Sequence, residues 1–308
     1  MGLARSGLLW ISENRKLRET LPRLKFIRMA VTRFMPGEEI EDAIRAAQQL
    51  HPKSINGILT QLGENIALES EANTVRDHYL GVLDRVHENG LDAYVSVKPT
   101  QLGLELSEEV CVRNLTAIAA RAQALKNMVW IDMEQSHYVD RTLAIFRTIR
   151  KNYSNVGLCL QAYLFRTKND LEDLLPLSPA IRLVKGAYRE PPSIAFAAKK
   201  DVDRNYFSLA GRLLENVKSN GVYAAIATHD TVLHDEIKEE AQRLGVSKKE
   251  YEFQMLFGIK MQEQYRLAAD GYRMRNLISY GSFWFPWYVR RLAERPANVW
   301  FVMKNIFS

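Results

Sequence analysis

The densest cluster of chemistry-bearing residues lies near the C-terminus. In Trp287-Tyr-Val-Arg290-Arg291-Leu-Ala-Glu294, positions 287, 290, 291 and 294 recur at i, i+3, i+4 and i+7, so on a helix they share one face. A guanidinium fork binds a carboxylate through two parallel hydrogen bonds, and a nearby Glu can hold one fork while the other stays open to a ligand. On its own such a stripe is more often a solvated ion-pair face. Its weight comes from polar residues that end apolar runs elsewhere: Glu64, Lys98, Asp132 with Glu134, Gln161, Lys185 and Thr228-His229-Asp230. Three acids, Glu64, Asp132 and Glu294, can pair with three bases, Lys98, Arg290 and Arg291, the mutual compensation that desolvated charges require. A carboxylate ligand would add one more negative charge to the guanidinium pair.

Ile181-Arg182-Leu-Val-Lys185-Gly186-Ala187-Tyr188 ends an apolar run in small residues, which lets a flat ligand or a phosphate approach the backbone. Gln161 offers an amide, Thr228 a hydroxyl and His229 an imidazole, suited to the polar edge and the ribityl or diphosphate part of a large cofactor. His229 by itself is more often a satisfied structural histidine. The sequence has no Gly-x-Gly-x-x-Gly turn, P-loop or His-rich cluster, so a nicotinamide-type site and a metal site are disfavoured. Hydride chemistry needs a cofactor, because side chains do not store two electrons.

The elements that must carry these residues follow from the pattern. From residue 51 onward, eight β-rich runs alternate with amphipathic helical stretches: 55–62, 93–98, 128–132, 156–161, 181–185, 223–228, 251–256 and 272–278. Helices are expected over 107–126, 138–151, 202–220 and 234–244, and the Arg-Arg stripe would form the last. Their sum is an α/β fold, a distorted (β/α)8 TIM-type barrel over residues 51–308. A helical arm over 1–50 precedes it, with a start signal at Met35-Pro-Gly-Glu-Glu. The strand C-termini of such a barrel carry the active site, which is where the polar run ends would meet.

Composition limits the alternatives. The 308 residues are 47% hydrophobic and 25% charged with a net charge of +6 spread along the chain, which favours anionic ligands mildly and gives no nucleic-acid signature. Cys111 and Cys159 have no metal or disulfide spacing, and no run of about 18 apolar residues could span a membrane, so a reducing cytoplasmic setting is expected. The apolar, aromatic segment 299–307 could touch the inner face of a membrane, although a helix packed on the barrel is the simpler reading.

The chain resembles the flavin-dependent proline dehydrogenases, in particular the short monofunctional bacterial type. The resemblance is carried by Leu62-Gly-Glu64, Val95-Ser-Val-Lys98, Ile131-Asp-Met-Glu134, Leu160-Gln-Ala-Tyr163, Arg182-Leu-Val-Lys-Gly-Ala-Tyr188, Ala227-Thr-His229, Phe253-Gln-Met-Leu256 and Arg290-Arg-Leu-Ala-Glu-Arg-Pro296. It implies FAD at the strand ends, contacted by Met133, Gln161, Arg182, Lys185, Gly186, Ala187, Thr228 and His229, with Arg182 beside flavin N5. It further implies that Arg290, Arg291 and Lys98 clamp the substrate carboxylate, that Glu64, Asp132 and Glu294 are their ion-pair partners, and that Tyr188 and Leu256 pack the pyrrolidine ring. The implied reaction is oxidation of L-proline to 1-pyrroline-5-carboxylate in proline catabolism, with a quinone as electron acceptor. The chain departs from the family pattern at Leu277 and Ser279, which replace a Tyr and a Pro, and at Trp287, which replaces a Tyr; some relatives also carry Trp at Arg189. A more apolar, reshaped ring pocket follows. Two other readings stay open: a flavoenzyme of the same fold acting on another cyclic or N-alkyl amino acid, and a flavin- or amino-acid-binding protein without turnover.

Overall fold

The computed structural model describes residues 31, 33–63 and 66–285. Eight parallel strands close into a barrel in the order β1 to β8: β1 (Ile55–Gln61), β2 (Ala93–Val97), β3 (Val129–Ile131), β4 (Val156–Gln161), β5 (Ala180–Val184), β6 (Tyr223–Ala227), β7 (Tyr251–Leu256) and β8 (Arg273–Tyr280). Helix α1 (Ile40–Leu50) precedes β1. Helices α2 (Glu69–Glu88), α3 (Glu108–Ala124), α4 (Val139–Arg150), α5 (Thr167–Leu174), α6 (Lys199–Asn220), α7 (Thr231–Arg243) and α8 (Met261–Ala269) follow β1 to β7 in turn. This is the (β/α)8 architecture expected, and α1 is the described part of the expected N-terminal arm. Glu64, Trp287, Arg290, Arg291, Glu294 and residues 1–30 lie outside the described residues.

Local sequence explains the element ends. Helix α1 opens with a capping box, in which the Glu39 amide donates to Asp42 Oδ2 at 3.1 Å. It buries Ile40, Ala43, Ile44, Ala47 and Leu50 against β1 and β8, and Ala47 meets Gly57, where a larger residue would hold the helix off the strand. Ser107 caps α3 by accepting the Val110 amide at 3.2 Å, and Gly221 ends α6 in the left-handed conformation.

The main core lies between barrel and helices. Residues 55, 59, 95, 97, 129, 131, 158, 160, 181, 183, 226 and 253 face outward into it, as alternation along each strand requires. The other parity points inward and is layered. Ile58, Trp130, Ala180 and Ala225 form a thin apolar layer, with Gly157 leaving the space that the Trp130 indole occupies. At the N-terminal end of the strands, Arg275 pairs with Glu252 at 2.8 Å and Asp92 at 2.7 Å, lies over the Tyr94 ring at 3.6 Å, and is 2% exposed. At the C-terminal end lie Thr60, Ser96, Asp132, Gln161, Arg182, Gln254 and Ser279.

Strand limits differ slightly from expectation. β8 runs to Tyr280 rather than Ile278, because it pairs along its length with β1 from Ile55↔Met274 to Gln61↔Tyr280 as the barrel closes. β3 is shorter than 128–132, since Asp132 leaves the ladder after its amide bonds the Val97 carbonyl at 2.9 Å.

Candidate active site

A cavity of about 730 Å³ opens at the C-terminal ends of the strands, and among its lining residues are Lys98, Asp132, Met133, Gln161, Arg182, Lys185, Gly186, Ala187, Tyr188, Thr228, His229, Leu256 and Leu277. All thirteen were singled out in the sequence, and the topology brings them to one mouth.

Its base is a charged cluster on the inner face of β2, β3 and β5. Arg182 Nη1 donates to Asp132 Oδ1 at 3.0 Å and Nη2 to Ser96 Oγ at 3.0 Å, while Ser96 donates to the same Asp132 oxygen at 2.8 Å. The guanidinium stacks on Trp130 at 4.7 Å from the ring centroid. Sequence reasoning paired Asp132 with Lys98, Arg290 and Arg291. Among the described residues its ion-pair partner is Arg182, because both side chains point inward from β3 and β5, the strands on either side of β4; Lys98 makes no salt bridge among those residues, and Arg290 and Arg291 lie outside them. Cys159, also at the base, has its thiol pushed up to about 12 by burial, against the pull of Arg182.

Glu134, read as another polar strand end, supports the loop instead. It accepts the Thr100 amide at 3.0 Å and the Thr100 hydroxyl at 2.7 Å, and burial raises its carboxyl above the usual range despite these bonds and the Lys98 charge.

The β5 end forms a cradle. Gly186 has φ +114°, a region that favours glycine, and a Cβ there would overlap the Tyr163 ring. Gln161 Nε2 donates to the Met133 carbonyl at 3.3 Å while its Oε1, buried, has no partner among the described residues; Arg182 Nε is likewise unpartnered. His229 Nε2 accepts the Leu256 amide at 2.9 Å, which places the proton of the neutral ring on Nδ1 and ties β6 to β7.

A ring of four charges that sequence reasoning did not assemble sits on the rim. Lys185 bridges Asp203 at 2.5 Å and Asp230 at 2.7 Å; Lys199 bridges Asp230 at 3.0 Å and also Asp203. Only the i, i+4 spacing of Lys199 and Asp203 was visible beforehand. Burial pushes the Asp203 and Asp230 carboxyls up, but the two ammonium groups outweigh it and hold both below the usual 3.8. A depressed folded-state value stabilises the fold fully above the unfolded value and loses that contribution as pH falls through and below it. Asp230→Asn is therefore expected to cost about 1 kcal/mol at pH 7, after solvent screening on the exposed Lys199 side. It should also flatten the loss of melting temperature between pH 5 and pH 3; an unchanged slope would show that the ring contributes nothing.

Among the described residues, no group of three His, Cys, Asp or Glu could hold a metal ion, and no helix is long and apolar enough to cross a membrane.

Comparison with known proteins matches this architecture to one family. The sequence model of the family described as Proline dehydrogenase covers residues 43–304. The chain is similar to Proline dehydrogenase 1 of Bacillus subtilis (strain 168), 36% identical over 306 residues, which span 99% of this chain and 100% of the relative. It is also similar to the Proline dehydrogenase of Deinococcus radiodurans, 38% identical over 311 residues, spanning 99% of this chain and 98% of the relative. Among solved structures, proline utilization A from Bdellovibrio bacteriovorus, inactivated by N-propargylglycine, superposes with a TM-score of 0.83 at 24% identity, over 94% of this chain and 38% of that one. On the evidence of a family match along most of its length and of relatives aligned end to end, the chain belongs to the proline dehydrogenase family.

Proposed function

We propose that the chain is an FAD-dependent proline dehydrogenase that oxidises L-proline to 1-pyrroline-5-carboxylate and passes the electrons to a quinone. The observation that carries this reading is the buried Arg182–Asp132–Ser96 cluster at the base of a cavity whose wall includes the Gly186 cradle and Lys98. The residues present fit a flavin. The unpartnered Gln161 Oε1 and Arg182 Nε offer an acceptor and a donor to a heteroaromatic edge, and Gly186, whose Cβ position is taken by the Tyr163 ring, contributes to the cavity wall without a side chain of its own. Met133, Gln161, Arg182, Lys185, Gly186, Ala187, Thr228 and His229 would hold it. When bound, the flavin supplies the two-electron acceptor for the hydride that leaves the carbon beside the proline nitrogen.

The chain's own residues do the rest. Lys98, with Arg290 and Arg291, binds the carboxylate and fixes the ring, and Glu64 and Glu294 hold those cations in place. Tyr188 and Leu256 pack the ring and exclude water, with Leu277 and Trp287 completing the wall. Asp132 holds the Arg182 guanidinium in one orientation. Lys98→Ala is expected to raise KM for proline roughly thirty-fold with little change in bound flavin, as loss of one charge-assisted contact implies; steady-state kinetics and the absorbance ratio check it. An unaltered KM would remove Lys98 from the clamp.

A second reading, a substrate other than proline, is favoured by Leu277, which lies beside Leu256 in the β7–β8 register and makes that wall apolar where a Tyr is usual. Anaerobic titration of the flavin absorbance with L-proline, then hydroxyproline, pipecolate and N-methyl amino acids, separates the two. Bleaching by proline is the expected result. Bleaching only by another compound selects the second reading, and a protein that is colourless or bleached by none is a binding protein without turnover.

A further inference from the structure

We propose that Glu190 is a positioning residue for the ring pocket: it ties the loop after β5 to the loop after β3 and so sets the height of Tyr188 over the cavity. The inference rests on the reading of Tyr188 as a wall of that pocket. The loop from Lys185 to Ala198 is anchored at its two ends. The Tyr163 amide donates to the Lys185 carbonyl at 2.8 Å; farther along, Phe165 donates to the Ile194 carbonyl at 3.0 Å and Phe196 to the Tyr163 carbonyl at 2.8 Å. Between these points the Glu190 carboxylate reaches out of the loop to Ser136, accepting its backbone amide at 2.8 Å and its hydroxyl at 2.6 Å.

Ser136 opens the short turn that leads into α4, where backbone N–H groups have no partner in the helix and the dipole favours an anion. Two charge-assisted bonds at that point, across 54 residues of sequence, make a stiff tether. Exposure alternates along the segment, with Ala187 and Arg189 exposed and Tyr188 and Glu190 half-buried. The carboxylate also lies beside the Tyr163 phenol, which is raised first by burial and then by the Glu190 charge; the ring of the same Tyr163 backs Gly186. Glu190 thus links the loops after β3, β4 and β5, two residues from the side chain that is to pack the ring.

The test uses the whole protein with its flavin. For Glu190→Ala, KM for proline and the dissociation constant of tetrahydrofuran-2-carboxylate, which lacks the ring amine, are expected to rise about tenfold. The preference for proline over pipecolate should narrow, while flavin content and melting temperature stay near wild type. Ser136→Ala, which removes one of the two bonds, should rise about threefold, and Glu190→Gln, which keeps an acceptor oxygen, should recover part of the loss. Unchanged KM, dissociation constant and preference in the variants of an active wild type would overturn the inference alone. So would a parallel loss of flavin and melting temperature that Glu190→Gln does not relieve, since that marks a residue that only holds the fold. A wild type that no cyclic amino acid bleaches would overturn the functional reading and this inference with it.

Discussion

Arg182→Met is expected to abolish most activity, with kcat/KM falling on the order of 10³-fold and the purified protein losing much of its yellow colour. Arg182 is 4% exposed, and its two Nη atoms donate to Asp132 and Ser96 at 3.0 Å each, so the guanidinium plane is fixed over Trp130, while Nε has no partner among the described residues. Met keeps the volume and loses the charge, the fork and the stack together. The substitution also strands Asp132 in a partly buried site, at a cost of about 3 kcal/mol to stability. Adding Asp132→Asn to Arg182→Met should return part of that stability without returning activity, which separates the chemical role from the folding role. Arg182→Lys keeps one charge but no planar fork, and is expected to retain some flavin with kcat still depressed. A yellow Arg182→Met protein bleached by proline at the wild-type rate would refute the assignment.

The second large effect lies at the opposite end of the barrel and concerns stability alone. Arg275→Met removes the cation that Glu252, 1% exposed, holds at 2.8 Å. Glu252 keeps the Tyr223 hydroxyl and the Gln254 amide, both at 2.8 Å, and has Arg273 at 3.8 Å, so the loss is softened and not eliminated. A cost of about 3 kcal/mol follows, or a fall in melting temperature on the order of 5 °C. Arg275→Met with Glu252→Leu should recover most of it, because replacing a buried pair with apolar groups of similar volume is often neutral. Flavin content and kcat per folded molecule should not change. A melting temperature within 1 °C of wild type by calorimetry would mean that the pair is solvated in solution and carries no net stability, roughly what surface pairs do.

The barrel itself was legible because its outward residues must be apolar to bury the helices, and that alternation survives in the linear sequence. The cavity was legible because the polar residues at strand ends had no other reason to interrupt apolar runs. What could not be read was pairing. The sequence set Asp132 against Lys98, Arg290 and Arg291 and did not suggest Arg182, since linear order does not say which strand ends meet at what height. Ser96 passed unnoticed as an ordinary strand serine, although its parity with Lys98 placed it on the inner face. The same count by twos finds Thr60, Gln254 and Ser279 above the apolar layer, and Glu252, Arg273 and Arg275 below it. The Lys185–Asp203–Lys199–Asp230 ring joins the ends of two strands to the starts of two helices, a juxtaposition that the pairing of β5 with β6 across their connecting helix creates.

The thin layer of Ile58, Trp130, Ala180 and Ala225 gives this barrel a septum made chiefly of one indole. Above it lies the Arg182 cluster, below it the Arg275 cluster, and with small residues at 157, 180 and 225 the separation falls to the Trp130 indole together with Ile58 and the packed Leu277. The two charge systems are therefore insulated from each other by one layer of side chains, of which the indole is the largest buried member. Chemistry on the upper face can be altered without loosening the lower one, and the floor beneath any ligand is a guanidinium that itself rests on the Trp130 ring.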